Sequence, residues 1–220
     1  MRTICVTGRG TLRVAPDMTR IMLTLEGIYK DYGEALKESA ESSEKLRELL
    51  GGLGFAPDEL KTVSFGVNTE YESYQENGVY KQKFAGYRYS HQMKLEFASD
   101  NELLGRTLYA LSHCAQEPEF NIGYFVKDSE AAKNALLANA VSDAKSKAAV
   151  LADAAGVRLA EIQSVDYSFS TISFETRPMR NMLRAKGAVM ADCCEESYSM
   201  DIQPDDIEVT DTVNITWEIQ

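Results

Sequence analysis

The chain opens on an alternation. Ile4, Val6, Leu12 and Val14 share one face with Gly8 and Gly10, while Thr3, Cys5, Thr7, Arg9, Thr11 and Arg13 share the other. A period of two marks a half-buried strand. Pro16-Asp17 is a turn signal, and Ile21, Leu23 and Leu25 carry the same period into a second strand. At Asp31 the pattern lengthens. Glu34 stands at capping-box spacing from Asp31. Leu36, Ala40, Ser43, Leu46 and Leu50 then form the apolar stripe of a helix that Gly51-Gly52 ends.

A long hairpin follows. Val63, Phe65, Val67 and Tyr71 alternate on one strand, and Tyr87, Tyr89, Met93, Leu95 and Phe97 on its partner. Asn77-Gly78 between them is a type I′ turn signal. A two-residue turn there sets odd residues against even ones, so that Phe65 faces Ser90. One extra residue corrects the parity. The spacing therefore predicts a β-bulge near Ala85-Gly86, where glycine tolerates a distorted backbone. Beyond it Phe65 faces His91 and Val67 faces Tyr89.

Ser99 and Glu102 stand at capping-box spacing and open a short helix to about Cys114. Phe120, Ile122, Tyr124 and Val126 predict a strand. Asp128-Ser129 caps the longest helix, to about Ala155, with a stripe of Leu137, Val141, Ala144, Ala148, Leu151 and Ala155. Its alanines permit close approach to a neighbour. A strand from about Glu161 to Phe174 follows. In the last strand Ile207, Val209, Val213, Ile215, Trp217 and Ile219 share a face that Asp211 interrupts.

"LGFAPDELKTVSF" (53–65) aligns without gaps with "AGVRLAEIQSVDY" (155–167), matching Gly54 to Gly156, Phe55 to Val157 and Leu60 to Ile162. Each copy leaves a helix and enters a strand. The chain thus reads as one α+β domain over 1–220, with an antiparallel sheet built from two β-α-β-β units, at about 18–97 and 118–219, behind an N-terminal strand. The long Ala-rich helix packs on the sheet, and residues 175–203 form an insert. Two copies are too few for a solenoid.

With this order in hand, "ICVTGRGTLRVAPDMTRIMLTLEG" resembles the opening signature of the SIMPL domain family, mostly bacterial proteins of largely unknown function. It has a strand with Gly-x-Gly, then Pro-Asp and a second strand. "IQPDDIEVTDTVNITWEI" is similar to that family's closing strand. The resemblance implies an α+β fold, a tendency to self-assemble and a role tied to stress protection. It supplies no catalytic residues, so none are carried over. Three features depart from the pattern. There is no export signal, although most members are exported. Asp205 stands where glycine is common, and the 175–203 insert is the chain's own.

Charge narrows the partners. The net charge is −11 and the isoelectric point about 4.8, which opposes binding to nucleic acid or to anionic membrane surfaces. No apolar run of about 18 residues exists, so no membrane insertion is expected. "MRTICVTGRG" has no apolar signal-peptide core. Together with four unevenly spaced cysteines, this predicts reduced thiols and a cytoplasmic location.

The candidate chemistry is thin. A dinucleotide fingerprint needs glycine at position 13, which is Arg13, and a helix straight after the loop. Gly8 and Gly10 are instead spacers that let a helix or a neighbouring chain approach the strand. Ser42-x-x-Lys45, Ser142-x-x-Lys145 and Ser99-Asp100-Asn101 imitate a penicillin-binding serine enzyme, but K-T-G is missing. His91 reads as a satisfied core histidine before it reads as a ligand. His113-Cys114 lacks further ligands at zinc spacing. Asp211 needs a partner or a raised pKa, unless its face is wet or lies at a subunit boundary. Cys193-Cys194 sits in the insert with Met179, Met182, Met190 and Met200. That segment reads as a surface loop, a docking arm for another subunit, or a redox or soft-metal site.

The expectation is a non-enzymatic homo-oligomer with no cofactor and no assigned catalytic, cofactor-binding or metal residue. The alternative is a binding module for a peptide or small apolar ligand, using Tyr71, Tyr74, Tyr80, Tyr87 and Tyr89. A thiol-dependent redox or metal protein ranks third.

Overall fold

The structure, a computed structural model, describes residues 2–76, 78–167, 172–176 and 202–220. In chain order the elements are β1 (Arg2–Val14), β2 (Met18–Tyr29), α1 (Tyr32–Gly51), β3 (Lys61–Glu76), β4 (Val79–Ala98), α2 (Asn101–Ser112), β5 (Glu119–Phe125), α3 (Ser129–Ala155), β6 (Leu159–Asp166) and β7 (Ile207–Ile219). The fold is α+β, with two antiparallel sheets ordered β1-β7-β6 and β3-β4-β2-β5. The chain divides into two compact units. One contains residues 2–17, 124–167, 172–176 and 204–220, and the other 18–76, 78–123 and 202–203.

In the first unit α3 lies on the apolar face of β1 and β7. The glycines of β1 permit it. A Cβ on Gly8 would strike the Ala140 carbonyl and stand 2.6 Å from the Ala144 Cβ; one on Gly10 would strike the Leu136 carbonyl and stand 2.9 Å from the Ala140 nitrogen. The buried stripe of α3 is Ala132, Leu136, Ala140, Ala144, Ala148 and Ala152. Of the expected stripe only Ala144 and Ala148 belong to it, while Val141 and Leu151 are exposed. The reason is commensurate spacing. Four helical residues rise about 6.0 Å and two strand residues about 6.7 Å. A helix lying along a strand at contact distance therefore repeats every four residues. The glycines admit only alanine-sized groups there, and the larger Val141 and Leu151 face outward. Val6, Val213, Ile215 and Trp217 complete that core with the alanines.

In the second unit α1 lies over β2 and β4, burying Ile21, Leu23, Leu25, Leu46, Leu50, Met93 and Leu95. Asp31 caps α1, accepting from the Gly33 and Glu34 amides at 2.8 and 3.1 Å. The buried stripe is Ala35, Ser39, Ser43, Leu46 and Leu50. In its first half it is displaced by one residue from the expected Leu36 and Ala40, because the smaller Ala35 and Ser39 let the helix approach the sheet. α2 is capped by Asp100, not by the expected Ser99. Asp100 accepts from Glu102 and Leu103 at 2.9 and 3.0 Å, while the Ser99 hydroxyl meets Thr19 Oγ1 at 3.3 Å. The opposite sheet face is ionic: Arg88 bridges Glu70 and Glu26 at 3.2 and 3.3 Å, and Arg20 holds Glu96 at 2.6 Å.

Both long helices stop in the same way. Gly54 and Gly156 have φ of 101° and 66°, a region glycine enters without a Cβ penalty. The next amides, Phe55 and Val157, reach back to Leu50 and Ala152 at 3.2 and 3.0 Å, the long bond of a Schellman motif. β6 begins at Leu159 and ends at Asp166, short of the expected Phe174. Phe174 is buried outside any strand.

Candidate functional site

Both sheets end in strands whose outer backbone groups need an occupant or a guard. On β1 the guard is α3. The Arg9 amide donates to Asp143 Oδ2 at 2.7 Å. Asn139 donates to the Thr11 carbonyl at 3.2 Å and Lys147 to the Thr7 carbonyl at 3.4 Å. The same four-against-two spacing that sets the apolar stripe aligns these three side chains with alternate residues of β1. Lys147 also pairs with Asp143 at 2.7 Å. That bond and the Arg9 amide hold the Asp143 carboxyl below its ordinary value. Beside the clamp, Val6, Ser146, Lys147, Val150 and Leu151 line a surface hollow of about 450 Å³.

Asp211 faces the core of this unit opposite Gly10. Its partner is the Tyr167 hydroxyl, which donates to Oδ2 at 2.8 Å. The carboxylate raises the tyrosine's pKa. Within the chain Asp211 is thus a buried carboxylate with a hydrogen-bond donor beside it, as the first of the sequence alternatives has it.

The second unit carries the aromatic hairpin. β3 and β4 pair as the bulge predicts: Phe65 faces His91, Val67 faces Tyr89, and the register slips between Glu70/Gly86 and Tyr71/Phe84. Ala85 is the extra residue. Its carbonyl accepts from Lys30 Nζ at 2.5 Å. Gly86 has φ of 155°, and a Cβ there would stand 2.5 Å from the Tyr29 carbonyl. The bulge therefore sits where β2 ends, since β2 pairs with β4 only as far as Tyr29 and Tyr87. Beyond that point, among the described residues, β3 and β4 pair only with each other.

This two-stranded arm explains the fate of the five tyrosines. Tyr89 is buried and stacks on Tyr29 at 6.1 Å. Tyr87 meets Tyr32 and Phe84 at 5.5 and 5.2 Å, and Phe84 meets Tyr71 at 5.9 Å. Register and alternation put Phe65, Tyr71, Phe84 and Tyr80 on one face, the face that α1 covers farther down the sheet. Tyr74, opposite Lys81, lies on the other. Phe65 is 47% exposed, Tyr71 53% and Tyr80 79%.

His91 is buried between these regions. Nε2 meets Thr62 Oγ1 at 2.9 Å, but among the described residues Nδ1 has no partner. The expected satisfied histidine is thus half satisfied. Burial first, and Arg47 second, lower its pKa. His113 meets the Tyr109 carbonyl and Ser112 at 2.9 Å. Among the described residues no group of three or more His, Cys, Asp or Glu side chains is placed to hold a metal ion, and no helix is long and apolar enough to cross a membrane. Cys193, Cys194 and the methionines of the insert lie outside the described residues. The β1 clamp is what the sequence reading missed. Its signal was Asn139, Asp143 and Lys147 recurring every four residues.

A family model described as SIMPL, a protein of unknown function (DUF541), matches residues 4–217. The chain belongs to the SIMPL family. No curated protein matches it. Among solved structures, CutA from Synechococcus elongatus PCC7942 aligns at 14% identity over 59% of this SIMPL chain and 94% of its own, with a TM-score of 0.21. That overlap carries no argument about fold or function.

Proposed function

We propose that this SIMPL protein works by assembling with copies of itself, as a non-enzymatic homo-oligomer. The supporting observation is the β3–β4 arm, which displays Tyr71 and Tyr80 to solvent on one face, continuing the exposed face that starts at Phe65 farther down β3. Ordering an exposed two-stranded ribbon costs conformational entropy, and such a ribbon is marginal unless a further surface packs against it. Exposed aromatics on such an element suit a protein interface. A stress-protective role belongs to this reading as a consequence of assembly rather than of chemistry. Light scattering across a concentration series tests it. A mass that rises to a defined multiple of 24.5 kDa supports it, and a monomer at every concentration refutes it.

A second reading, binding of a small apolar ligand, draws on a different place: the hollow over Val6, Val150 and Leu151. A ligand that raises the thermal midpoint of the parent chain and not of Leu151→Lys supports that reading.

A further inference from the structure

β1 and β3 are the two edges to compare, because one is guarded and the other is open. Among the described residues, no strand pairs with the outer side of β3, and Val63, Phe65, Tyr71 and Tyr74 along it are exposed. A long, exposed, apolar edge is a template for another strand. Its register with β4 slips at Val63, between Thr62 and Ser64, so the regular stretch begins at Ser64.

Charge selects the occupant. Residues 64–72 carry Glu70 and Glu72, and their β4 neighbours balance them: Arg88 pairs with Glu70 at 3.2 Å and Lys83 lies opposite Glu72, leaving this strip neutral in a chain of net charge −11. This is a surface on which two copies of an otherwise repulsive molecule can meet. Chemistry selects the register. Antiparallel pairing of β3 with itself across a two-fold axis places residues of equal face opposite one another. Centring the axis on Glu70 sets Glu70 against its own copy, and centring it on Tyr71 sets Glu70 against Glu72; both put like charges opposite. Centring it on Asn68 sets Phe65 against Tyr71, Val67 against Thr69, Glu70 against Gly66 and Glu72 against Ser64. The two large exposed aromatics are then cross-strand partners, a favourable pair, and no charge meets its like.

We infer that the outer edge of β3 pairs antiparallel with β3 of a second copy over residues 64–72, with Phe65 of each copy opposite Tyr71 of the other. The inference rests on the self-assembly reading and names its surface.

A charge-swap cycle on the full chain tests it, with assembly followed by light scattering and folding by circular dichroism. Phe65→Lys and Tyr71→Lys each weaken the pair by about tenfold or more. Phe65→Lys combined with Tyr71→Glu restores assembly, because each introduced lysine now faces an introduced glutamate of the other copy. Within one chain the two positions lie about 20 Å apart along the strand, so the rescue is intermolecular. If a lysine variant loses its fold, Phe65→Thr and Tyr71→Thr replace the single variants and are expected to weaken the pair in the same direction. Parent chains that assemble while neither single variant weakens the pair overturn the β3 surface and leave self-assembly standing. Single variants that weaken it without rescue by the double overturn the register. A monomeric parent overturns both readings.

Discussion

β1 and β3 are edge strands of comparable length that solve the same problem in opposite ways. β1 gives up side chains: Gly8 and Gly10 bring α3 so close that Asn139, Asp143 and Lys147 reach the backbone groups of Thr11, Arg9 and Thr7. β3 keeps large side chains, and Phe65, Tyr71 and Tyr74 along it stay exposed. The difference shows that edge protection here follows from helix approach. A helix at glycine–alanine distance brings its polar flank within hydrogen-bonding reach of the strand edge. A helix packed on leucines and tyrosines does not.

The largest expected effect comes from removing the close approach. Gly8→Ala places a methyl group against the Ala140 carbonyl and the Ala144 side chain and is expected to cost about 3 kcal/mol, since backbone on both sides must shift. Gly66→Ala on β3 meets nothing nearer than Asn68 Nδ2 at 4.0 Å and is expected to stay within about 0.5 kcal/mol. Urea unfolding of the two variants checks the contrast; equal losses would erase it.

A smaller effect is expected at the clamp. Asp143→Ala frees the Arg9 amide, whose hydrogen exchange should accelerate about tenfold, while amides of β3 keep their rates. Because the Asp143 carboxyl is depressed by Lys147 and the Arg9 amide, its contribution is complete above the ordinary aspartate value of 3.8. It fades as pH falls through the lower folded value. The acid side of a thermal-midpoint profile should therefore be shallower in Asp143→Ala than in the parent.

The smallest effect concerns the second unit alone. Burial and Arg47 lower the pKa of His91 from 6.5. The unfolded chain therefore binds the proton first, and stability falls as pH drops below 6.5 toward the folded value. His91→Gln should flatten that segment of the profile. A profile identical to the parent's would show that His91 does not set it.

Much of this comparison was legible in the residues. The alternation around Gly8 and Gly10 marked a strand that expects a close neighbour, and Asn77-Gly78 with the parity of Phe65 and His91 located the bulge at Ala85. The clamp was not legible, because Asn139, Asp143 and Lys147 read as an ordinary solvent-facing helix flank until the strand beneath them is known. Nor were the exposed tyrosines separable from buried Tyr89. That distinction depends on β2 ending at Tyr29, and a chain boundary of that kind has no periodic signal. The α3 stripe was misread toward larger side chains, although the glycines already implied that alanines must face them.

Hydrogen exchange measured below and above the assembly concentration tests the central claim most directly. The account predicts that amides within 64–72 of β3 gain protection as concentration rises, while those of residues 7–11 in β1 stay protected throughout. Protection that rises with concentration in β1 and stays constant in β3 would contradict it.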